Sequence, residues 1–296
     1  LVERAGCTAV DSRTLRIEKR YPGVLGWPVR ALYRLMRPWY IGTFHILAQK
    51  GKKAPWYSAG IMALKNIARW AVLAPLFIIP FLVLYVSDTL YFPFITGKGF
   101  AFRILVEIAL AGWAVLALID KKYRPQFSWT FVLYGALVLW MIVADAFAVS
   151  PLKAFWSNFE RMDGWITLVH VFALFAIMGT VLTADKLWRS WWLTFLGASV
   201  LVCLYGVFQL MGVFAIHQGG VRLDATLGNA EYLAGYLLFA LAIARWQACE
   251  SRGGLRYALF VLAALEVSIS HLTETRGAAL ALVVAVAVGA VLWMVD

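Results

Sequence analysis

Apolar runs of bilayer length recur along this chain, and they limit its possible folds more than any other feature. A membrane-crossing helix needs about 20 predominantly apolar residues. Runs of roughly that size lie at about 67–87, 103–119, 127–148, 165–182, 191–213, 231–246, 257–272 and 277–295. Composition agrees, with 62% hydrophobic residues, 15% charged residues and a mean hydropathy of +0.77. Soluble domains are only about 45–50% apolar. The 14 Trp, 12 Tyr and 19 Phe supply rings of the kind that sit at membrane–water interfaces. The expectation is an all-α polytopic membrane protein with about eight transmembrane helices. A soluble globule, a disordered tail and a disulfide-stapled secreted module are excluded. Pro75 and Pro80 are expected to kink the first span.

The net charge of +11 is concentrated at one end. Residues 1–70 hold 13 of the 27 Lys and Arg and 3 of the 16 Asp and Glu. Residues 1–66 are read as a basic cytoplasmic or interfacial segment and 67–296 as the transmembrane domain. Interleaved Trp27, Tyr33, Trp39 and Tyr40 fit a segment lying on anionic lipid, not a base-stacking surface, so no nucleic-acid partner is expected. Cys7, Cys203 and Cys249 have no metal-type spacing and form no disulfide framework.

Loop charges set the orientation. With the N-terminus in the cytoplasm, the connections Asp120–Pro125, Thr183–Ser190 and Arg245–Arg256 are also cytoplasmic, and 21 basic residues lie inside. Six lie outside: Lys98, Arg103, Lys153, Arg161, Arg222 and Arg276. Outer cations run against the insertion bias, and most of these stand near glycine, which allows close backbone approach to a ligand. Arg276 is a candidate phosphate clamp, because a guanidinium offers two parallel donors to phosphate oxygens, and a helix starting at Gly277 would add its amides. The bland alternative pairs Arg276 with Glu274 at the membrane surface. Arg222, between Gly219-Gly220 and Gly228-Asn229, has the competing reading of a pair with Asp224 or Glu231. Arg161 stands between Glu160 and Asp163 and by itself reads as a surface ion pair. Lys98 is the least distinctive of the set.

The histidines form no evident catalytic centre. His45 falls in the cytoplasmic segment, and His170 lies inside a span, where a satisfied buried imidazole is expected. His217 and His271 approach the outer face, yet neither has a spaced carboxylate and nucleophile around it. His217 is therefore a weak candidate base. The pattern offers no metal cluster, and no metal or cofactor is expected.

Taken in order, several strings resemble the O-antigen ligase and polymerase superfamily. They are Arg222, Gly228-Asn229 with the following Tyr232-Leu233-Ala234-Gly235-Tyr236, and Thr273-Glu274-Thr275-Arg276-Gly277-Ala278. Phe92-Pro93-Phe94-Ile95-Thr96-Gly97-Lys98 and Phe155–Gly164 look like the branch that often carries C-terminal tetratricopeptide repeats. The resemblance covers about residues 67–296. Ala230-Glu231 stands where the family often has Pro-Asn, and Thr275 where it often has Ser.

The resemblance implies a GT-C-like helical bundle in a bacterial inner membrane. Its activity would be that of an inverting glycosyltransferase working on the periplasmic face. The donor would be a glycan on undecaprenyl diphosphate, and the acceptor a hydroxyl of lipid A–core, another glycan or a protein. Arg222 and Arg276 carry over as diphosphate-binding residues, with Arg161 and Lys98 added as an extension of that site. Cations in a low-dielectric pocket would stabilise the leaving diphosphate. The family's acceptor-activating histidine is expected beyond Asp296, so the chain is expected to be a fragment that binds donor without turnover. The competing class is a transporter or flippase of an anionic lipid-linked substrate. The absence of repeated spans or an intramembrane charge chain argues against it, the within-span acids being Glu107, Asp145 and Glu266.

Overall fold

A computed structural model describes residues 55–217 and 222–295. Contacts divide the chain into two units, Leu1–Leu64 and Lys65–Asp296, and the account below concerns the second. Most of the basic N-terminal segment, with Cys7, Trp27, Tyr33, Trp39, Tyr40 and His45, lies outside the described residues.

The described residues are helical and contain no strand. α1 spans Pro55–Ile78 and passes into a 3₁₀ segment, Ile79–Leu84; α2 is Thr96–Ile119, α3 Trp129–Ala146, α4 Pro151–Trp156 and α5 Trp165–Val181. α6 is Asp185–Leu210, α7 Ala230–Glu250, α8 Gly254–His271 and α9 Arg276–Val295. Six segments are long and apolar enough to cross a membrane: Gly60–Leu84, α2, α3, α6, α7 and α8. Trp165–Val181 and Arg276–Gly289 are apolar but shorter.

Several expected boundaries move. Helix begins at Pro55, inside the segment assigned to the basic N-terminus, and the expected kink takes the form of a change from α to 3₁₀ geometry, with Pro80 at the start of the 3₁₀ turn. Proline has no amide hydrogen to donate to the preceding turn, so a local change of hydrogen bonding accommodates it. α2 starts at Thr96, so Lys98 and Arg103 belong to its first turns and not to a loop. Lys186, Arg189 and Arg245 likewise sit on helices, because α6 and α7 reach further than their apolar runs.

Packing follows small residues. Ala68, Val72 and Leu76 of α1 meet Ala109 and Leu116 of α2 and Ile177 and Val181 of α5. A side chain at Gly112 would come within 2.8 Å of the Ala68 carbonyl oxygen, so glycine sets how closely α1 and α2 approach. On α7, Ala244 and Ala248 lie one turn apart and pack with Leu196 of α6 and Leu259, Leu262 and Ala263 of α8. Lipid tails compete with side chains for apolar contact, so close packing of small residues holds such helices together better than hydrophobicity does. The outward faces are apolar too. On α3 only Val138 is buried, while Leu133, Leu139 and Trp140 are 64–71% exposed. A contiguous apolar surface of this kind fits a hydrocarbon solvent.

Two titratable groups inside the spans have polar partners. His170 Nδ1 lies 2.6 Å from the Ile166 carbonyl, and Nε2 lies 3.2 Å from Glu107 Oε1, so the expectation of a satisfied imidazole holds. Buried Glu266 of α8 accepts a hydrogen bond from the Ser199 hydroxyl of α6.

The connections gather into two groups. In one, Lys65 donates to Asp120 at 2.8 Å and Arg189 to the Ser251 hydroxyl at 3.0 Å. In the other, the Tyr91 amide donates to Glu160 at 2.9 Å and the Leu223 amide to the Leu272 carbonyl at 3.4 Å. Lys98, Arg161, Arg222 and Arg276 thus share one end of the bundle.

Candidate functional site

The 222–232 segment organises that end. Asp224 leads into a short 3₁₀ turn, Ala225–Leu227, and Gly228 follows at φ +65°. That left-handed conformation suits glycine, and any Cβ there would overlap the Phe94 ring. Asn229 then caps α7, its side-chain oxygen accepting from the Glu231 amide at 2.8 Å. The Gly-Asn pair therefore has a local structural cause. It turns the chain tightly under Phe94 and starts the helix. Thr226 ties the turn to the first span by donating to the Val83 carbonyl at 2.8 Å.

Arg222 reaches across to the α8–α9 connection. Its Nε donates to the Thr273 carbonyl at 3.0 Å and its Nη2 to the Thr275 hydroxyl at 3.2 Å. Thr273 adds a hydroxyl contact to Thr275 at 3.0 Å. The expected alternative of an Arg222–Asp224 pair does not form, because buried Asp224 is committed elsewhere. Arg276 opens α9 and is exposed, with no hydrogen-bond or ion-pair partner among the described residues, so the pairing with Glu274 is not made either. Arg222 and Arg276 line a single cavity of about 690 Å³ together with Glu231, Glu274 and Gly277. The two glutamates offset the two arginines. A Cβ at Gly277 would meet nothing within 4 Å, which leaves the first turn of α9 open to a ligand.

Lys98 and Arg161 are not in that cavity. They line a second one of about 480 Å³, with Phe94, Asp163, Tyr232 and the apolar side chains of Ile79, Leu82 and Phe102. Glu231 faces the first cavity and Tyr232 the second, so the opening turn of α7 stands between them. Lys98 donates to the Thr226 carbonyl. Arg161 lies 3.7 Å from Asp163, which agrees with the ion-pair reading, and its guanidinium also covers the Phe92 ring at 5.5 Å. The four cations therefore form two pairs in two cavities.

His217 has a partner that sequence reasoning missed. Its Nδ1 lies 3.3 Å from Asp224 Oδ2, and its own amide donates to the same oxygen at 3.0 Å. Gln209, near the end of α6, holds the other carboxylate oxygen at 2.8 Å and accepts from the Ala225 amide at 2.9 Å. The ring of His217 packs edge-on against Phe94 at 4.9 Å. A glutamine near the end of an apolar span, followed fifteen residues later by an aspartate, was the available signal. His271 is exposed at the end of α8. Among the described residues no group of three or more His, Cys, Asp or Glu side chains is placed to hold a metal ion.

No family of known proteins, no curated protein and no solved structure matches this chain.

Proposed function

We propose that the chain is a membrane glycosyltransferase that moves a glycan from undecaprenyl diphosphate to an acceptor hydroxyl on the periplasmic face of a bacterial inner membrane. The carrying observation is that Arg222 and Arg276, distant in sequence, line one cavity in which the Arg276 guanidinium has no partner among the described residues. Eight spans in a GT-C-like bundle, with α5 and α9 as the two shorter ones, and a cytoplasmic N-terminus complete the reading.

In this reading Arg276 and the amides of the first α9 turn take the diphosphate, while Arg222 fixes the Thr273–Thr275 backbone that presents Arg276. The acceptor oxygen attacks the anomeric carbon and the bond from that carbon to the diphosphate oxygen breaks. The hydroxyl proton passes to His217 Nε2, and the diphosphate leaves on its lipid. One displacement inverts the anomeric centre. Asp224 fixes the imidazole through Nδ1 and stabilises the imidazolium that forms. The family's acceptor-activating histidine was expected beyond Asp296, and the Asp224 pairing makes His217 a second candidate for that role.

The test is reconstitution of the purified chain in lipid with an undecaprenyl-diphosphate glycan and candidate acceptors of the lipid A–core, glycan and protein classes. Acceptor-linked glycan that requires Arg276 supports the reading. Movement of intact donor between leaflets, with no transfer to any acceptor, replaces it with the flippase reading.

A further inference from the structure

We propose that the cavity of Lys98 and Arg161 is a second binding site, separate from the Arg276 cavity, for the phosphate group of an amphiphile whose hydrocarbon lies against Ile79, Leu82 and Phe102. This goes beyond the transfer reading, which supplies only the second equivalent, at Arg276, in the count below. A single equivalent lost in the Arg161 variant and kept in the Arg276 variant upholds this site and fails that reading. The two cavities share no lining residue. They also differ in charge: arginines and glutamates balance in the first, whereas Lys98 and Arg161 outnumber Asp163 in the second. An uncompensated cation beside apolar walls at the end of a membrane bundle suits an anionic headgroup joined to a hydrocarbon chain.

The surroundings hold Arg161 in place. Arg103, 7% exposed on α2, donates through Nη2 to the Met162 carbonyl at 3.1 Å and approaches the Arg161 carbonyl at 3.5 Å. A buried arginine spent on backbone carbonyls fixes the loop that displays the next arginine. That loop also departs from relaxed geometry: Ser157, Glu160 and Met162 all have positive φ, at 68°, 69° and 51°. Non-glycine residues in that region are strained, and such strain clusters where a loop is shaped for a ligand. Glu160 accepts the Tyr91 amide at 2.9 Å, which anchors the strained turn to the Phe92–Lys98 string. Lys98 uses one ammonium donor on the Thr226 carbonyl, and an ammonium has three.

The experiment counts farnesyl phosphate bound to the purified full chain in detergent by native mass spectrometry. Wild type is expected to bind two equivalents. Arg161→Gln and Lys98→Gln should each weaken one of them about tenfold or more, the worth of a charge-assisted hydrogen bond, and leave the other unchanged. Arg276→Gln should do the reverse. Arg161→Lys, which retains the charge, serves where Arg161→Gln does not fold. Farnesol should not bind at this site, and inorganic phosphate should not displace farnesyl phosphate at equal concentration. Displacement by phosphatidylglycerol assigns the site to glycerophospholipid, and resistance to it assigns the site to isoprenyl phosphate. Loss of the same single equivalent in Arg161→Gln and Arg276→Gln overturns the proposal. So do unchanged binding in both the Lys98 and Arg161 variants, and equal competition by farnesol or inorganic phosphate.

Discussion

Asp224 is fully buried, and its Oδ2 lies 3.3 Å from Nδ1 of His217, whose side chain is 42% exposed. A buried carboxylate against one ring nitrogen leaves the other nitrogen to take a proton, the arrangement that makes a histidine an oriented base. A positioned base contributes roughly 10²–10⁴ in rate. His217→Gln is expected to lower transfer by about that range. Asp224→Asn should also lower it, because the imidazole loses the partner that orients it. Transfer at the wild-type rate by His217→Gln, at equal expression, removes the histidine from the mechanism.

Arg222 and Arg276 line one cavity but carry different structural burdens. Arg222 makes two hydrogen bonds across the connection, and Arg276 makes none among the described residues. Arg222→Ala should therefore lower the melting temperature while Arg276→Ala leaves it nearly unchanged. Arg276→Lys keeps the charge but loses the planar fork. Loss of one transition-state donor costs roughly 3–4 kcal/mol, so its transfer rate should fall about a hundredfold or more. Equal melting temperatures for the two alanine variants would contradict this division of labour, and near-normal transfer by the lysine variant would return Arg276 to the role of an interfacial charge.

Gly228 tests whether the turn itself matters. Its φ of +65° costs an L-residue about 1–2 kcal/mol, and a Cβ would also overlap Phe94. Gly228→Ala should destabilise by at least that amount. Adding Phe94→Ala should recover the steric part and not the backbone part. A thermal melt of the single and double variants separates the two, and an unaffected single variant refutes the close approach.

Hydropathy made the long apolar helices legible, and the four cations read as belonging to one face do share one end of the bundle. The Arg222–Arg276 pairing was legible through the two motif strings. Three features were not. Gly97-Lys98-Gly99 reads as a loop by its glycines and charge, yet it is the first turn of α2, and a Cβ at Gly97 would lie 2.5 Å from the Tyr85 ring. Packing requires the glycine there. Arg103 reads as an outer cation but is buried, because the Met162 carbonyl gives it a partner that lies far away in sequence. His217 and Asp224 are seven residues apart across Gly219-Gly220, with no periodic element to place them on one face. Contacts fixed by loop closure leave no trace in a hydrophobic pattern.

At the opposite end, Asp120 caps α2 and takes the Lys65 ammonium at 2.8 Å and the Lys122 amide at 3.1 Å. These donors, the ammonium first, hold its carboxyl below its ordinary value of 3.8. A carboxyl depressed in the folded state contributes stability above its unfolded pKa and loses it as pH falls through the folded value. Asp120→Asn should therefore melt below wild type at neutral pH, and the gap should close below about pH 3.8 as the wild-type carboxyl protonates. A gap of constant size from neutral pH to pH 3 would show that the contribution is not electrostatic.

Membrane sidedness is the last expectation, and it joins the two ends. The connections of Lys121–Tyr123 and Ser251–Gly253 share one end of the bundle, and those holding Arg222 and Arg276 share the other. The positive-inside expectation assigns the first pair, with Lys121, Lys122 and Arg252, to the cytoplasm. Cysteines introduced singly at Lys122 and Arg252, in a variant free of native thiols, should react with a membrane-impermeant maleimide only after the membrane is opened. Cysteines at Arg222 and Glu274 should react in intact cells. Labelling of Arg222→Cys from the cytoplasmic side alone would place the diphosphate cavity on the wrong face for a periplasmic transfer and would remove the proposed reaction with it.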